Sequence, residues 1–360
     1  MPRSVDEPLL EVLHSGFIGQ GQKVDEFENR LANYFGNQYA LTVNSGTSAI
    51  QLALRLANVG PGDEVISTAM TCTATNMPVL AAGANLIWAD VDPHTGLIDP
   101  NALKSKITEK TKAIIMVHFG GLPCDIDAIN KIAKENNIKT IEDAAHALGS
   151  SYKNQKIANH SDFVIFSFQA IKHFTTIDGG VLFCKEESDY KRGKLLRWFG
   201  IDRNSERKDF RCEENILEYG YKFHMNDICA TIGIEQLKYI DTIVARHISN
   251  QEFYDSELSG VKGVHIIEKP ANIVSACWIY VLHIEKRDSF ISWMDQNGVM
   301  TSRVHERNDI HTAFEKSTCS LPNLDKYNLT HVSIPCGWWI DDEDREFIAS
   351  KVKEFSKNFL

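Results

Sequence analysis

The sequence predicts an α/β fold: a large unit with a mostly parallel sheet, then a smaller C-terminal α+β unit. Three observations predict it. Short apolar runs alternate with amphipathic stretches from about residue 40 to 185. That texture changes after about residue 245. And a chain of 360 residues is long for one small domain. Strands alternating with helices imply βαβ units, whose crossovers make neighbouring strands parallel. The division expected is 1–245 and 246–360, although no linker composition marks it.

Taken in order, Ala40-Leu41-Thr42-Val43 reads as a strand, Thr47 to Ala57 as a helix and Glu64-Val65-Ile66-Ser67 as the next strand. Ala113 to Val117, the helix Ile126 to Glu135, and Thr140-Ile141-Glu142 continue the alternation. Phe163 to Phe166 and Val181 to Cys184 are two further apolar runs of strand length. From Asp227 to Ile243 one long helix is expected, because Ile228, Ala230, Thr231, Ile232, Ile234, Leu237 and Ile240 fall at helical spacing. The smaller unit is expected from the mixed run Trp278 to Ile284 and a final amphipathic helix from Asp342 to Asn358.

Composition narrows the function. With 43% hydrophobic and 24% charged residues the chain reads as an ordinary globular protein. A formal net charge of −10 argues against a general nucleic-acid binder. No apolar run approaches the ~18 residues of a membrane span. Met1-Pro2-Arg3-Ser4-Val5-Asp6-Glu7 lacks the apolar core of a signal peptide, so a cytoplasmic location is expected. The eight cysteines (72, 124, 184, 212, 229, 277, 319 and 336) form no C-x-x-C pair, and the thirteen histidines show no H-E-x-x-H spacing, so no metal site is expected. Several of the cysteines sit in apolar runs, as buried thiols do.

Chemistry concentrates around Lys172, which lies in Ser167-Phe168-Gln169-Ala170-Ile171-Lys172-His173 between two apolar runs and ahead of Asp178-Gly179-Gly180. A lysine on a turn between buried strands suits an amine that loses its proton and attacks a carbonyl, as in Schiff-base enzymes. Asn44-Ser45-Gly46-Thr47-Ser48, between strand and helix, offers an anion site at a helix N-terminus; the plainer alternative is an N-cap by Ser45 or Thr47. Asp143 follows a strand and would stand at the carboxyl end of the sheet, where open α/β folds bind ligands and where a carboxylate can hold a pyridine nitrogen protonated. It too can be read as a cap on the next helix. Ser167 can join the phosphate cup or be an ordinary strand-end serine. Together a phosphate cup, a pyridinium partner and a reactive lysine suit one cofactor, pyridoxal 5'-phosphate.

The ordered series Ser15-Gly16-Phe17-Ile18-Gly19-Gln20-Gly21, Asn44-Ser45-Gly46-Thr47, Gly60-Pro61-Gly62-Asp63-Glu64-Val65, Ala82-Gly83-Ala84, Asp90-Val91-Asp92-Pro93, Glu142-Asp143-Ala144-Ala145, Ser167-Phe168 with Lys172, and Gly220-Tyr221 with Asp227-Ile228 resembles the DegT/DnrJ/EryC1/StrS family. These are pyridoxal-phosphate-dependent nucleotide-sugar aminotransferases of fold type I, the aspartate aminotransferase-like group. The resemblance implies that Gly46, Thr47 and Ser167 hold the phosphate, with Ser45 among the cofactor contacts. It implies that Asp143 binds the ring nitrogen, and that Lys172 joins the cofactor covalently and then shuttles the substrate's proton. The N-terminal segment 1–25 is placed near the active site, with Gly19 and Gln20 as substrate contacts. A homodimer with shared sites is implied, in which Lys222 or His224 reaches the partner's phosphate.

Three positions depart from the family pattern. Thr71-Cys72 stands where Thr-Phe or Thr-Trp is usual, so Cys72 would pack on the ring by its sulfur. His146 stands where glutamine is common and would hydrogen-bond the cofactor's phenolic oxygen, or be a buried capped histidine. Ile177-Asp178-Gly179-Gly180 replaces Gly-Glu-Gly-Gly. One branch, the sugar 3-dehydratases, carries histidine in place of the lysine; here Lys172 aligns and His173 is its neighbour, which favours transamination. In Arg303-Val304-His305-Glu306-Arg307-Asn308-Asp309-Ile310-His311, His305 and Arg307 are the expected substrate contacts, against the alternative of a solvated charged loop. Trp338-Trp339 reads as packing. The resemblance implies amino transfer from L-glutamate to a nucleotide-diphosphate sugar, in surface polysaccharide or lipopolysaccharide O-antigen formation. The acceptor is expected to be the C-4 keto group of a 4-keto-6-deoxy hexose, since Gln169-Ala170-Ile171-Lys172 is unlike the Tyr-Pro-Gly-Lys segment of C-3 enzymes. A C-3 aminotransferase or a dehydratase or lyase is the alternative.

Overall fold

In the computed structural model residues 1–203 and 215–360 are described; Cys212 lies outside them. Among the described residues the main sheet has seven strands in the spatial order Ala40–Val43, Gly180–Cys184, Phe163–Ser167, Lys139–Asp143, Thr111–Val117, Glu64–Ser67, Asn85–Trp88. The last five in that order run parallel. Gly180–Cys184 runs against both neighbours. The reversal has a local cause: a parallel return needs a crossover, usually a helix, and the loop 168–179 contains none. That loop, which carries Lys172, therefore leaves and re-enters at one end of the sheet, the end where Asp143 and Ser167 also finish their strands.

The sheet strands are buried almost throughout, so they read as continuous apolar runs, as strands covered on both faces do. Helix Gly46–Leu56 buries Ile50, Leu52, Ala53 and Leu56 against them. Helix Gln22–Phe35 buries Val24, Phe27, Leu31 and Phe35. Its start is held by the Asp227 carboxylate, which accepts from Gly21 N (2.7 Å), Val24 N (3.1 Å) and Lys23 N (3.3 Å). An anion there offsets the unpaired N–H groups and the dipole. A side chain at Gly21 would lie 2.7 Å from Asp227 Oδ2, so the glycine is required by this close approach.

The helix expected over 227–243 is instead two helices, Asp227–Gln236 and Ile240–Leu258, joined by the 3-10 turn Leu237–Tyr239. The first is buried nearly all round, with Gly233 against the Phe27 ring. The second buries one stripe, Ile240, Val244, His247, Asn250, Tyr254 and Leu258. Two burial patterns need two axes, and apolar spacing alone does not reveal the tightened turn between them. Ile240–Leu258 runs unbroken across position 245.

A second core, including Tyr254, Leu282, Phe290, Met294, Val332, Val352 and Phe355, lies under the antiparallel sheet Val264–Ile266, Tyr280–Ile284, His331–Ile334. Helix Asp342–Phe359 starts at a reciprocal cap between Asp341 and Asp344. Trp338 and Trp339 are 53% and 63% exposed, so they are not core packing; their rings meet edge-on, and Trp339 lies over Gly337, which offers no side chain to bury them. Cys124, Cys184, Cys277 and Cys336 are buried thiols. No helix among the described residues is long and apolar enough to cross a membrane, and no cluster of three or more His, Cys, Asp or Glu there is placed to hold a metal.

Candidate active site

At the carboxyl end of the sheet a cavity of about 260 Å³ is lined by Ser45, Gly46, Thr47, Thr71, Cys72, Thr75, Asp143, His146, Ser167, Lys172, Asp178 and His305, among others. One wall is the first turn of helix Gly46–Leu56. Ser45 is its N-cap, accepting from Ser48 N at 3.0 Å, so the capping role and a place in the cavity coexist. A side chain at Gly46 would lie 2.9 Å from Ser167 Cβ and 3.2 Å from its Oγ. Glycine thus lets a helix N-terminus and a serine hydroxyl close on one point, which suits an anion.

Asp143 is buried at the last position of its strand. Its Oδ2 accepts from Thr75 Oγ1 at 2.7 Å and its Oδ1 from Ala145 N at 3.1 Å. Thr71 Oγ1 lies 2.8 Å from Thr75 Oγ1. Since Thr75 spends its proton on the carboxylate, Thr71 donates to Thr75, and the chain of hydroxyls orients Asp143. The cap reading of Asp143 survives only as the short turn to Ala145.

Lys172 is half-buried, and burial pushes its ammonium down to about 8, against the opposing pull of Asp143 and Cys72. Its Nζ lies 3.9 Å from the centre of the Trp278 ring. His173, by contrast, is buried with Nε2 bonded to Ala276 O at 2.9 Å, its ring against His247. The lysine, not the histidine beside it, faces the cavity. Ile177 is in the left-handed region at φ +74°, a conformation that glycine adopts without strain and a β-branched residue does not. That is the physical meaning of the isoleucine-for-glycine departure in this turn.

His146 stacks on Trp278 with ring centres 3.9 Å apart, and its Nδ1 accepts from Gly120 N at 3.4 Å. The proton of its neutral ring therefore sits on Nε2, which is free to donate. Burial first, and the charge of Lys172 next, hold it well below the ordinary histidine range. His305 is pushed to about 4 by burial and by Lys172, and its Nε2 is buried with no partner in the protein. A buried polar atom left unpaired at a cavity wall suits a ligand's donor or acceptor. The loop bearing it is pinned by the fully buried Asn308, which donates from Nδ2 to Thr71 O (2.7 Å) and from N to Ala69 O (2.8 Å) and accepts from Asn76 Nδ2 (2.9 Å).

Other residues singled out in the sequence stand elsewhere. Arg307 spends its guanidinium on Asp309 (2.6 Å) and Asp325 and does not line the cavity. Gly19 O accepts from Asp227 N at 2.8 Å, and Gln20 lines a separate cleft with Asp25 and Arg197. Lys222 and His224 pair with Trp198 and Val43, and the neighbouring Asn44 donates to Phe223 O and Lys222 O. Burial and nearby cations push His224 down to about 4. Thr75, Trp278 and Asn308 were not identified from the sequence. The i,i+4 pair Thr71/Thr75 was the available signal for the first.

These residues fit pyridoxal phosphate. The Gly46–Ser167 cradle admits a phosphate, the anchored Asp143 carboxylate matches a protonated ring nitrogen, Lys172 is an amine with a usable neutral fraction, and His146 and His305 offer neutral polar atoms around the ring.

Comparison with known proteins agrees. The model of the DegT/DnrJ/EryC1/StrS aminotransferase family matches residues 3–353. The sugar aminotransferase CalS13 from Micromonospora echinospora superposes with a TM-score of 0.95 at 34% identity, covering 98% of this chain and 97% of that one. The PLP-form of the putative sugar aminotransferase Spr1654 from Streptococcus pneumoniae superposes with a TM-score of 0.91 at 30% identity, covering 100% and 97%. UDP-4-amino-4-deoxy-L-arabinose–oxoglutarate aminotransferase of Shewanella sediminis is 30% identical over 97% of this chain and 95% of its own. The chain belongs to the DegT/DnrJ/EryC1/StrS aminotransferase family, has its α/β fold, and is a pyridoxal-phosphate-dependent sugar aminotransferase.

Proposed function

We propose that the protein transfers an amino group from L-glutamate to the C-4 keto group of a nucleotide-linked 4-keto-6-deoxy hexose, yielding a 4-amino sugar for surface polysaccharide such as O-antigen. One observation supports this above the rest: the Lys172 amine, lowered to about 8, shares a cavity with the anchored Asp143 and the unpartnered His305 Nε2. The Shewanella relative, named for a 4-amino sugar nucleotide and for oxoglutarate, agrees with both the position and the donor.

Bound pyridoxal phosphate supplies a carbon that carries the amino group and a ring that takes up electrons. Asp143 keeps the proton on the ring nitrogen through its charge, and Thr75 holds that carboxylate in place. Gly46, Thr47 and Ser167 anchor the phosphate. Lys172 Nζ takes the proton from the glutamate α-carbon and, in the second half-reaction, moves a proton at the sugar C-4. His305 hydrogen-bonds the sugar nucleotide. Lys222 or His224 serves the partner's phosphate in a homodimer, closed two-fold symmetry being the commonest assembly. Residues 1–245 form the large unit and 246–360 the small one, and the protein works in the cytoplasm.

The test follows the protein with pyridoxal phosphate by absorbance on adding L-glutamate, then offers dTDP-, UDP- and GDP-linked 4-keto-6-deoxy hexoses with mass spectrometry of products. Expected are loss of the visible band with one 2-oxoglutarate per site, neither occurring in Lys172→Ala, and a 4-amino sugar product. A 3-amino product would transfer the reading to C-3. A deoxygenated sugar formed together with 2-oxoglutarate and free ammonia, and with no amino sugar, would mean a dehydratase.

A further inference from the structure

Trp278 comes from outside the main sheet yet meets Lys172 at both ends. Its ring lies 3.9 Å from Nζ, and its Nε1 donates to Ile171 O at 2.9 Å, beside the lysine's own backbone. The ring also stacks on His146, with the His305 ring 6.4 Å away and nearly parallel. The turn that delivers Trp278 is tightly held. Cys277 is left-handed at φ +46°, a conformation kept at a non-glycine residue where the surroundings impose it. Ala276 is clamped by Ser150 Oγ (2.9 Å) on its N–H and by His173 Nε2 (2.9 Å) on its carbonyl. A side chain at Gly121 would lie 2.9 Å from Cys277 N and 3.2 Å from Trp278 N, so the backbones are in direct contact.

We propose that Trp278 is a positioning residue for Lys172: whenever the amine is not joined to a carbon, the indole face holds it at the cavity wall beside His146. The inference rests on Lys172 being the proton carrier of the proposed transamination. In that reaction the freed amine must stay within reach of the reacting carbon. The groups that face it are Asp143, Cys72, His146, His305 and His173, with Asp178 also on the cavity wall. The three histidines are neutral at pH 7, so the competing anchor is the Asp143 carboxylate. An ammonium paired there would occupy the partner of the ring nitrogen. The aromatic face attracts the cation without a carboxylate's charge, and so leaves the amine able to take up and give back a proton.

The test uses the cofactor-free protein and needs neither glutamate nor sugar. Competitive acetylation across pH 6 to 11, read by mass spectrometry on the Lys172 peptide, measures the amine's midpoint, expected at about 8 in the wild type. Trp278→Leu keeps the wall apolar but removes the aromatic face, and the midpoint falls by about half to one and a half units. Trp278→Phe, a weaker face, falls by less. An unchanged midpoint in a leucine variant that melts with the wild type overturns the proposal. If that variant does not fold, an unchanged midpoint in the phenylalanine variant overturns it. Glutamate-driven loss of the visible band in wild type is read separately, so failure of the transamination itself is not confused with this outcome.

Discussion

Capture of pyridoxal phosphate by the cofactor-free protein should follow the neutral fraction of Lys172, and that fraction can be worked out. At a value of about 8, against an ordinary 10.5, about a tenth of the amine is neutral at pH 7, instead of about one part in three thousand. The rise of a visible band after rapid mixing should therefore be about 300-fold faster at pH 7 than an unperturbed lysine allows. It should gain roughly tenfold per pH unit below 8 and level off above. Asp143→Asn should move the midpoint lower, because the aspartate charge holds the lysine up against burial. The stability linkage has a fixed sign. Between about 8 and 10.5 the unfolded chain binds more protons at this lysine than the folded one, so stability gained from this group rises with pH through that window. A Lys172→Met comparison by urea unfolding isolates that contribution. A capture rate still climbing tenfold per unit through pH 10 would refute the reasoning, since the amine would then be an ordinary solvated lysine.

Thr75→Val keeps the shape of the side chain and removes the donor at 2.7 Å from the buried Asp143 carboxylate. Stability should fall by about 1.5–3 kcal/mol and cofactor affinity with it, while Thr75→Ser restores both, as checked by urea unfolding and by cofactor titration. Glu28→Gln leaves the buried Arg197 without its counter-charge, in a site where Glu28 also accepts from Thr42 N and Oγ1 at 2.8 Å. The expected loss is about 3–5 kcal/mol in the same unfolding measurement. His305→Ala should raise KM for the sugar nucleotide and leave the half-reaction with L-glutamate near wild type in steady-state and single-turnover kinetics; equal damage to both would remove His305 from the substrate side.

The alternation of runs such as Ala40–Val43, Glu64–Ser67 and Phe163–Ser167 was legible in the sequence because these strands are buried on both faces and must be apolar end to end. Lys172, Asp143 and the Ser45–Thr47 turn were legible for the complementary reason: a charge, or a glycine with hydroxyls, directly after a buried strand has few structural uses. Those short-range signals determined the fold class, the cofactor chemistry and most of the cavity wall. Tertiary structure alone decided the rest. Trp278 lies 106 positions beyond Lys172 in the chain, and Asn308 lies 237 beyond Thr71, yet the fold brings each pair into contact. Arg307 looks like a phosphate ligand in sequence, but Asp309, two residues on, takes its guanidinium from one side, and Asp325, eighteen residues on, folds back to complete the neutralisation. Local pattern reports what a residue's immediate backbone needs. Which side chains share a cavity, and which charges are already spent, depends on contacts between segments that no local spacing encodes.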